Sequence, residues 1–528
     1  MLNKFFDKVQ NEKKYLILFL LTLTTIGVLP ILMSGIPYGG DLNFHLKRIE
    51  AIALNIKENK IGYPIYFNYL NNYGYGSGLF YPDIFLYIPA FFNILGISLF
   101  TSYKIFIYII KLVSLVSMYC TIKAITDNKT KAIIGVILYA FSSYIFVDMF
   151  ERAALAETLT IIFIPIVIRG IHEILFGDKN KYYILSIGMI GLLYSHLISF
   201  YLVTIFLIIF TILNYKQLSK EKVISIIKSI IIFILVCSHF LLPLIEQMIS
   251  GPFYYSVQKN TLIENSVPIL FLFLEFPYYS LMTNIGRWIP SGIGIIYLYL
   301  CVYYIKNKSK FNKENKMYLI GGFICILFST KLLWYIPFFN KIFSIIQFPF
   351  RIYILATTLF IICFCDVIKI SIKKIFIISL LFFSINLFYP FINTKISSLS
   401  NDEIMYGEYL PLEYPKLNYS SERLDKIESS CPIKYKINYG QRIEIKFNSN
   451  CEENTIELPI IYYKGYSVKI NDLNIDYSIS NNGLIKIKTN EKNGIIKVYY
   501  EGTKIYNITK YITLISTIGL VIIYVKKK

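Results

Sequence analysis

Charge is what this sequence has least of. Only 16% of its 528 residues are Asp, Glu, Lys or Arg, against about 25% in a typical soluble domain, which argues against a soluble globular enzyme. Acids are the scarcer sign, 33 against 53 Lys and Arg, leaving a net charge of +20. Histidine is rarer still, with four in the chain, too thinly spread to converge three or four ligands on a zinc ion. No internal repeat is visible, so the inverted-repeat signature common in transporters is missing. Nor is there a low-complexity tract beyond a general bias to Ile, Lys, Asn and Tyr.

What is present is apolar: 55% of the residues are hydrophobic, and 17% of the chain is aromatic. A hydrophobic chain that is also basic has two readings. A nucleic-acid binder gathers its cations on a water-facing patch, whereas a multi-span membrane protein places them in short cytoplasmic loops. The second pattern is found, and no nucleic-acid partner is expected.

Crossing about 30 Å of hydrocarbon takes roughly 20 mostly apolar residues. Twelve stretches approach that, at about 15–35, 101–122, 132–148, 154–170, 182–195, 197–213, 223–244, 291–305, 317–335, 351–367, 375–391 and 510–525. The first is read as a span rather than a cleaved signal peptide, because no small-residue cleavage site follows it. Seven short segments (1–14, 123–131, 169–181, 216–222, 306–316, 369–374 and 526–528) hold 24 of the 53 cations. Putting all seven in the cytoplasm, with both termini, requires an even number of crossings between neighbours, and twelve spans satisfy this. Parity then makes the apolar stretch Phe80 to Leu99 interfacial or re-entrant, in keeping with Pro82, Asp83 and Pro89. It also splits 182–213 into two spans near Ser195 and His196.

Segment 392–509 differs in kind. Arg442-Ile443-Glu444-Ile445-Lys446-Phe447 alternates with the period of half-buried strands, and turns are signalled at Asn471-Asp472, Asn481-Asn482-Gly483 and Asn493-Gly494. The expected architecture is an α-helical polytopic membrane domain, 1–391, with a first outer loop over 36–100. A small all-β exocytoplasmic domain, 392–509, and a last span with a basic tail, 510–528, complete it. Six cysteines lie in predicted spans, where a thiol acts as a small apolar group. Cys431 and Cys451 lie in the β domain, where an oxidising exterior favours their pairing.

The ionisable residues beside the spans gather on the outer side. Loop one carries Asp41, His45 and Arg48, and loop two carries Asp148, Glu151, Arg152 and Glu157. His196 sits at the next outer break, and Gln347-Phe348-Pro349-Phe350-Arg351 leads into the tenth span. Each has an ordinary explanation: Asp41 as a helix N-cap, the arginines snorkelling to headgroups, His196 as a hydrogen-bonded residue at a break. Their convergence on one face suits group transfer. A carboxylate takes the proton of an attacking hydroxyl, and arginines bind and stabilise a phosphate leaving group.

Gly40-Asp41-Leu42-Asn43-Phe44-His45-Leu46-Lys47-Arg48, Gly74-Tyr75-Gly76 and Phe80-Tyr81-Pro82 resemble the first outer loop of bacterial membrane proteins related to YfhO. That group includes a family labelled 6-pyruvoyl-tetrahydropterin synthase-related. Glu151-Arg152-Ala153-Ala154-Leu155-Ala156-Glu157 with Pro165, Ser195-His196 and the Gln347 to Arg351 run resemble its later motifs. So do Leu458-Pro459, Tyr462-Tyr463-Lys464-Gly465-Tyr466 and Val498-Tyr499-Tyr500-Glu501-Gly502-Thr503. The resemblance implies a GT-C glycosyltransferase using a sugar carried on a polyprenyl (undecaprenyl) phosphate, with a cell-envelope polymer or glycolipid as acceptor. It implies Asp41 as catalytic base, with Glu151, Arg152 and Glu157 in support and Arg351 on the lipid phosphate. His45, Arg48, His196 and Gln347 complete the expected substrate site. No DxD pair accompanies Asp41, so no divalent metal is supported, and Phe350 stands where tryptophan is common in the group. Competing expectations are a lipid-linked sugar flippase and a non-catalytic envelope-assembly protein of the plasma membrane.

Overall fold

A computed structural model describes residues 2–33, 40–67, 69–70, 72–257, 262–275, 292–393, 407–414, 427–439 and 443–527. Residues 36–39 of the first outer loop, 394–406 and 415–426 of the predicted β domain, and Arg442 of its alternating run lie outside the described residues.

The chain is mostly helical, with a small β domain near its C-terminus. The helices that matter below are α1 (Lys13–Gly27), α2 (Leu42–Lys57), α3 (Leu99–Thr126), α4 (Lys129–Ala140), α5 (Leu155–Leu175), α6 (Tyr183–Ser195), α7 (Leu197–Leu213), α8 (Lys220–Ser250), α9 (Tyr353–Val367) and α10 (Lys504–Lys527). Among the described residues five helices are long and apolar enough to cross a membrane: α3, α5, α8, α9 with its lead-in from Pro349, and α10. A sixth is gained if α4 and Ser143–Glu151, bent by 45°, form one span. The chain therefore has the helices of a membrane protein.

Several of the twelve expected spans coincide with shorter helices. The first is 15 residues long in α1, about 22 Å at 1.5 Å per residue. The 182–213 stretch is two helices broken at His196, whose extended backbone (φ −153°) ends α6 and starts α7. Phe80 to Leu99 contains only short helical pieces, the longest Tyr87–Ile94, about 12 Å of helix. The final helix begins at Lys504, six residues before the predicted span.

Two local features show how the bundle tolerates polar backbone. Pro165 inside α5 has no N–H to bond the carbonyl one turn earlier. That carbonyl, Ile161 O, instead accepts the Tyr139 hydroxyl of α4 at 2.8 Å, while Ser117 and Thr121 of α3 donate to Ile162 O and Pro165 O at 2.7 and 3.1 Å. Proline thereby ties three helices together. Gly27 ends α1 against the buried Lys111 of α3. A Cβ there would come within 2.9 Å of Lys111 Cε.

Among the described residues the β domain has nine strands: β1 (Glu428–Ser429), β2 (Ile433–Tyr439), β3 (Ile443–Ser449), β4 (Asn454–Ile461), β5 (Tyr466–Ile470), β6 (Leu473–Asn474), β7 (Tyr477–Ile479), β8 (Leu484–Thr489) and β9 (Asn493–Tyr500). They form antiparallel sheets ordered β1-β4-β8-β7 and β2-β3-β9-β5-β6. The alternation read in β3 puts Ile443, Ile445 and Phe447 inside. Asn471 and Asp472 take left-handed φ of 49° and 67°, the two-residue turn that joins β5 to β6. Asn493-Gly494 opens β9 instead of forming a turn. Cys431 and Cys451 are joined by a disulfide across the β2–β3 hairpin.

This domain is docked on the helices. Pro459 cannot donate to a ladder, the register shifts between Leu458 and Ile461, and Ile461 N–H turns outward to Tyr73 O at 2.9 Å. The side-chain amide of Gln247, near the end of α8, bonds both backbone groups of Lys464, donating to its carbonyl and accepting its N–H at 3.1 Å. Lys464 also pairs with Glu246 at 3.2 Å. The Tyr463 and Gly465 run noted in sequence is thus the seam between β domain, first outer loop and α8.

Candidate active site

The segment read from sequence as the second outer loop shapes the centre of the site. After the bend at Ala140, a π-helical turn, Val147–Glu151, directs Asp148 inward. Ala153 follows with φ 48°, reversing the chain so that α5 starts at Leu155 with Glu157 in its first turn. Asp148, Arg152 and Glu157 thereby meet in a buried pocket. Arg152 Nη1 donates to Asp148 Oδ1 and to Glu157 Oε2, both at 2.7 Å. Thr158 donates to the other oxygen of Asp148 at 3.1 Å, and the Tyr144 hydroxyl to Glu157 Oε1 at 2.7 Å.

A distant segment completes the cluster. Arg351, just before α9, brings Nε to 3.3 Å from Glu157 Oε2, so one carboxylate is shared by two arginines. Its Nη1 donates to Ile346 O at 3.0 Å and to Gln347 Oε1 at 3.1 Å. Gln347 has φ 64°, which turns the chain into this grip. Phe348 covers both guanidinium groups, 5.9 Å from Arg152 and 5.1 Å from Arg351. Two acids and two arginines therefore balance. Arg351 Nε is buried and makes no hydrogen bond among the described residues, its approach to Glu157 being an ion pair alone.

Asp41 stands differently. Its backbone N–H bonds Arg152 O at 2.9 Å, which fixes the start of α2 against the cluster. It occupies the N-cap position of α2, yet its side chain makes no capping bond. Among the described residues its carboxylate has no hydrogen bond or ion pair, and the residue is partly exposed. The ordinary explanation, an N-cap, accounts for the backbone and leaves the carboxylate unused.

From α2 come also His45 and Arg48, both buried. Arg48 donates to Pro82 O at 2.8 Å and pairs with Asp83, whose other oxygen accepts the Tyr66 hydroxyl. Its guanidinium lies 4.4 Å from the centre of the Tyr81 ring. Tyr81 is the junction of the site: its ring is 6.3 Å from that of His196. Burial holds its hydroxyl above the usual range, opposed by Arg48 and Arg351 and reinforced by Asp41 and Glu157. Burial, followed by the charges of Arg48 and His196, holds His45 well below the ordinary imidazole range. Its Nδ1 has no hydrogen-bond partner. In His196, Nδ1 lies 2.8 Å from the Ser199 hydroxyl and accepts the Ser199 N–H at 3.4 Å.

Of the residues expected from sequence, Asp41, Arg152, Glu157, Gln347 and Arg351 thus meet directly, Arg48 and His196 join through Tyr81, and His45 lies in the field of Arg48 and His196. Glu151 closes the π-helical turn half-buried, and Arg152 turns to Asp148 and Glu157 rather than to it. Sequence reasoning missed Tyr81, Asp83, Tyr144 and Tyr409. Asp83 was noticed only as an interruption of an apolar stretch, although its position beside Pro82, opposite a basic helix, was a usable signal. Tyr409 had none: it arrives from a segment more than 300 positions away and stacks on Phe80 at 5.2 Å. Among the described residues no group of three or more His, Cys, Asp or Glu side chains is placed to hold a metal ion.

An uncharacterized protein of Lactococcus lactis subsp. cremoris (strain MG1363) is similar to this chain, 24% identical over 268 residues. The match covers 48% of this chain and 43% of the relative, so the chain spans less than half of that protein's length. No family model and no solved structure matches.

Proposed function

We propose that this chain is a membrane glycosyltransferase of GT-C type that moves a sugar from a polyprenyl phosphate to a cell-envelope polymer or glycolipid on the outer face. In this reading about twelve segments traverse or enter the membrane, both termini are cytoplasmic, and the β domain is exocytoplasmic. Asp41 accepts the proton of the acceptor hydroxyl as its oxygen attacks the anomeric carbon. The bond from that carbon to the phosphate oxygen breaks, and polyprenyl phosphate leaves with its charge held by Arg351 and Arg152. The observation that carries the reading is the contrast in one site between a partly exposed Asp41, whose carboxylate has no partner among the described residues, and the buried Nε of Arg351, which makes no hydrogen bond there. Asp41→Asn is the test. It should leave the protein folded and membrane-inserted, while envelope glycan analysis finds the same sugar missing as in cells lacking the protein.

The seam between the β domain, the first loop and α8 favours one second reading, a non-catalytic envelope-assembly protein. That reading requires Asp41→Asn to be silent and deletion of 392–509 to abolish function.

A further inference from the structure

The opposite end of the bundle carries a second charged cavity. Tyr103, near the start of α3, lies in the field of Asp148 and Asp41. Cys120 is 17 residues further along the same helix, about 26 Å at 1.5 Å per residue. There a groove of about 380 Å³ opens between α3, α5 and the turn before α6, lined by Tyr119, Cys120, Lys123, Arg169, Glu173 and Lys181 among others.

Its cations are poorly neutralised. The Lys123 ammonium has only Asp127, at 3.5 Å, whose side chain is almost fully exposed. Arg169 Nε is buried without a hydrogen bond, its nearest acid oxygen on Glu173 3.9 Å away. Glu173 is already committed to Lys181 at 3.3 Å and to the Asp178 N–H at 3.2 Å. Three cations, Lys123, Arg169 and Lys181, thus face the groove against two acids, Asp127 and Glu173, an excess of one positive charge. An anion of phosphate type fits these donors.

The wall above the groove identifies the carrier of that anion. Val113 and Val116 are 42% and 41% exposed, and with Cys120 and Lys123 they follow the i, i+3, i+7, i+10 spacing of one helix face. On α5, Ile162 is half-buried beside Arg169's side of the helix. An apolar track therefore runs along the helix into a cationic pocket, the form of a headgroup with an acyl chain. We propose that this groove seats the phosphate of an anionic bilayer phospholipid, with a chain along Val113 and Val116. The site is separate from the Asp41 centre and does not depend on the function proposed for it.

Cys120 is a built-in reporter, exposed while the other five free cysteines are buried. Full-length protein is placed in phosphatidylcholine nanodiscs with or without 30% phosphatidylglycerol, a mixture of about one anionic lipid in three chosen to populate a weak headgroup site, and Cys120 is labelled with a maleimide. Phosphatidylglycerol should slow labelling at least about fivefold, and Lys123→Gln with Lys181→Gln, both solvent-accessible positions, should remove that protection. Lys123→Arg with Lys181→Arg should retain it. Native mass spectrometry should find phosphatidylglycerol retained by the wild type and lost from the Gln variant. Equal labelling in the two membranes, or protection surviving in the Gln variant, overturns the proposal. Protection by inorganic phosphate alone in phosphatidylcholine also overturns it, because the groove would then be a site for a soluble anion.

Discussion

The two loops that build the candidate site, one before α3 and one before α5, carry the same chemistry to opposite ends. In the second loop Asp148 and Glu157 are buried, and their oxygens are taken up by Arg152, Arg351, Thr158 and Tyr144. In the first, Asp41 is held by its backbone to the same Arg152 and its carboxylate is left over. A carboxylate in a saturated ion cluster fixes geometry, while one that is positioned and unpaired is available to accept a proton. Acidity alone therefore does not distinguish a structural residue from a reactive one; the partners do.

The largest effect should come from breaking the saturated side. Glu157→Gln leaves Arg152 and Arg351 short of a shared negative charge in a buried site, where losing one partner of an ion pair typically costs about 3–5 kcal/mol. A large fall in the melting midpoint of detergent-purified protein is expected. A drop no larger than that of an exposed control such as Asp127→Asn would erase the contrast between the loops.

Next in size is the seam behind the first loop. Gln247→Ala removes both bonds to the Lys464 backbone and leaves those groups in a half-buried interface, at about 1–3 kcal/mol. Hydrogen exchange should accelerate at Lys464 and around Ile461 while the strands β3 and β9 stay protected. Faster exchange throughout the β domain would mean that it depends on the bundle for its fold, not only for its position.

A smaller effect is one of pH. His45 remains neutral in the folded chain well below its ordinary range, whereas the unfolded chain protonates it near pH 6.5. The unfolded state then binds the extra proton, so stability is full above about pH 6.5 and declines as pH falls below it. The decline approaches about 1.4 kcal/mol per pH unit for this one group. Thermal melts of His45→Asn compared with wild type between pH 7.5 and 5 should show a shallower acid loss in the variant. Parallel curves would remove His45 from the titration.

How much of this was legible in the sequence follows from the range of each interaction. The alternation of Ile443, Ile445 and Phe447, the Asn471-Asp472 turn and the break at His196 are local, set by neighbours within a few residues, and each was readable. The span count was harder to read, because hydropathy registers apolar length but not where a helix stops. The helix from Lys129, for example, stops at Ala140 inside an apolar stretch. In the site, the residue types and their shared face were visible, since Asp41, Arg152, Glu157 and Arg351 stand out against an apolar background. Their pairing was not. Nothing near Glu157 announces that Arg351, 194 positions later, shares its oxygen, or that Asp83 takes Arg48 out of play. Nor does anything near Gln247 announce the Lys464 backbone, 217 positions later, that its amide bonds.

The central claim is that Asp41 is a reactive acid and its neighbours are a frame, and one pair of measurements on Asp41→Asn tests it most directly. Detergent-purified variant should melt within about 0.5 kcal/mol of wild type, as a substitution without broken partners does. In cells, sugar addition to the envelope should fall by a factor of roughly 10² or more, the scale of losing a general base. Wild-type levels of the sugar in a stably folded Asp41→Asn protein would contradict the account.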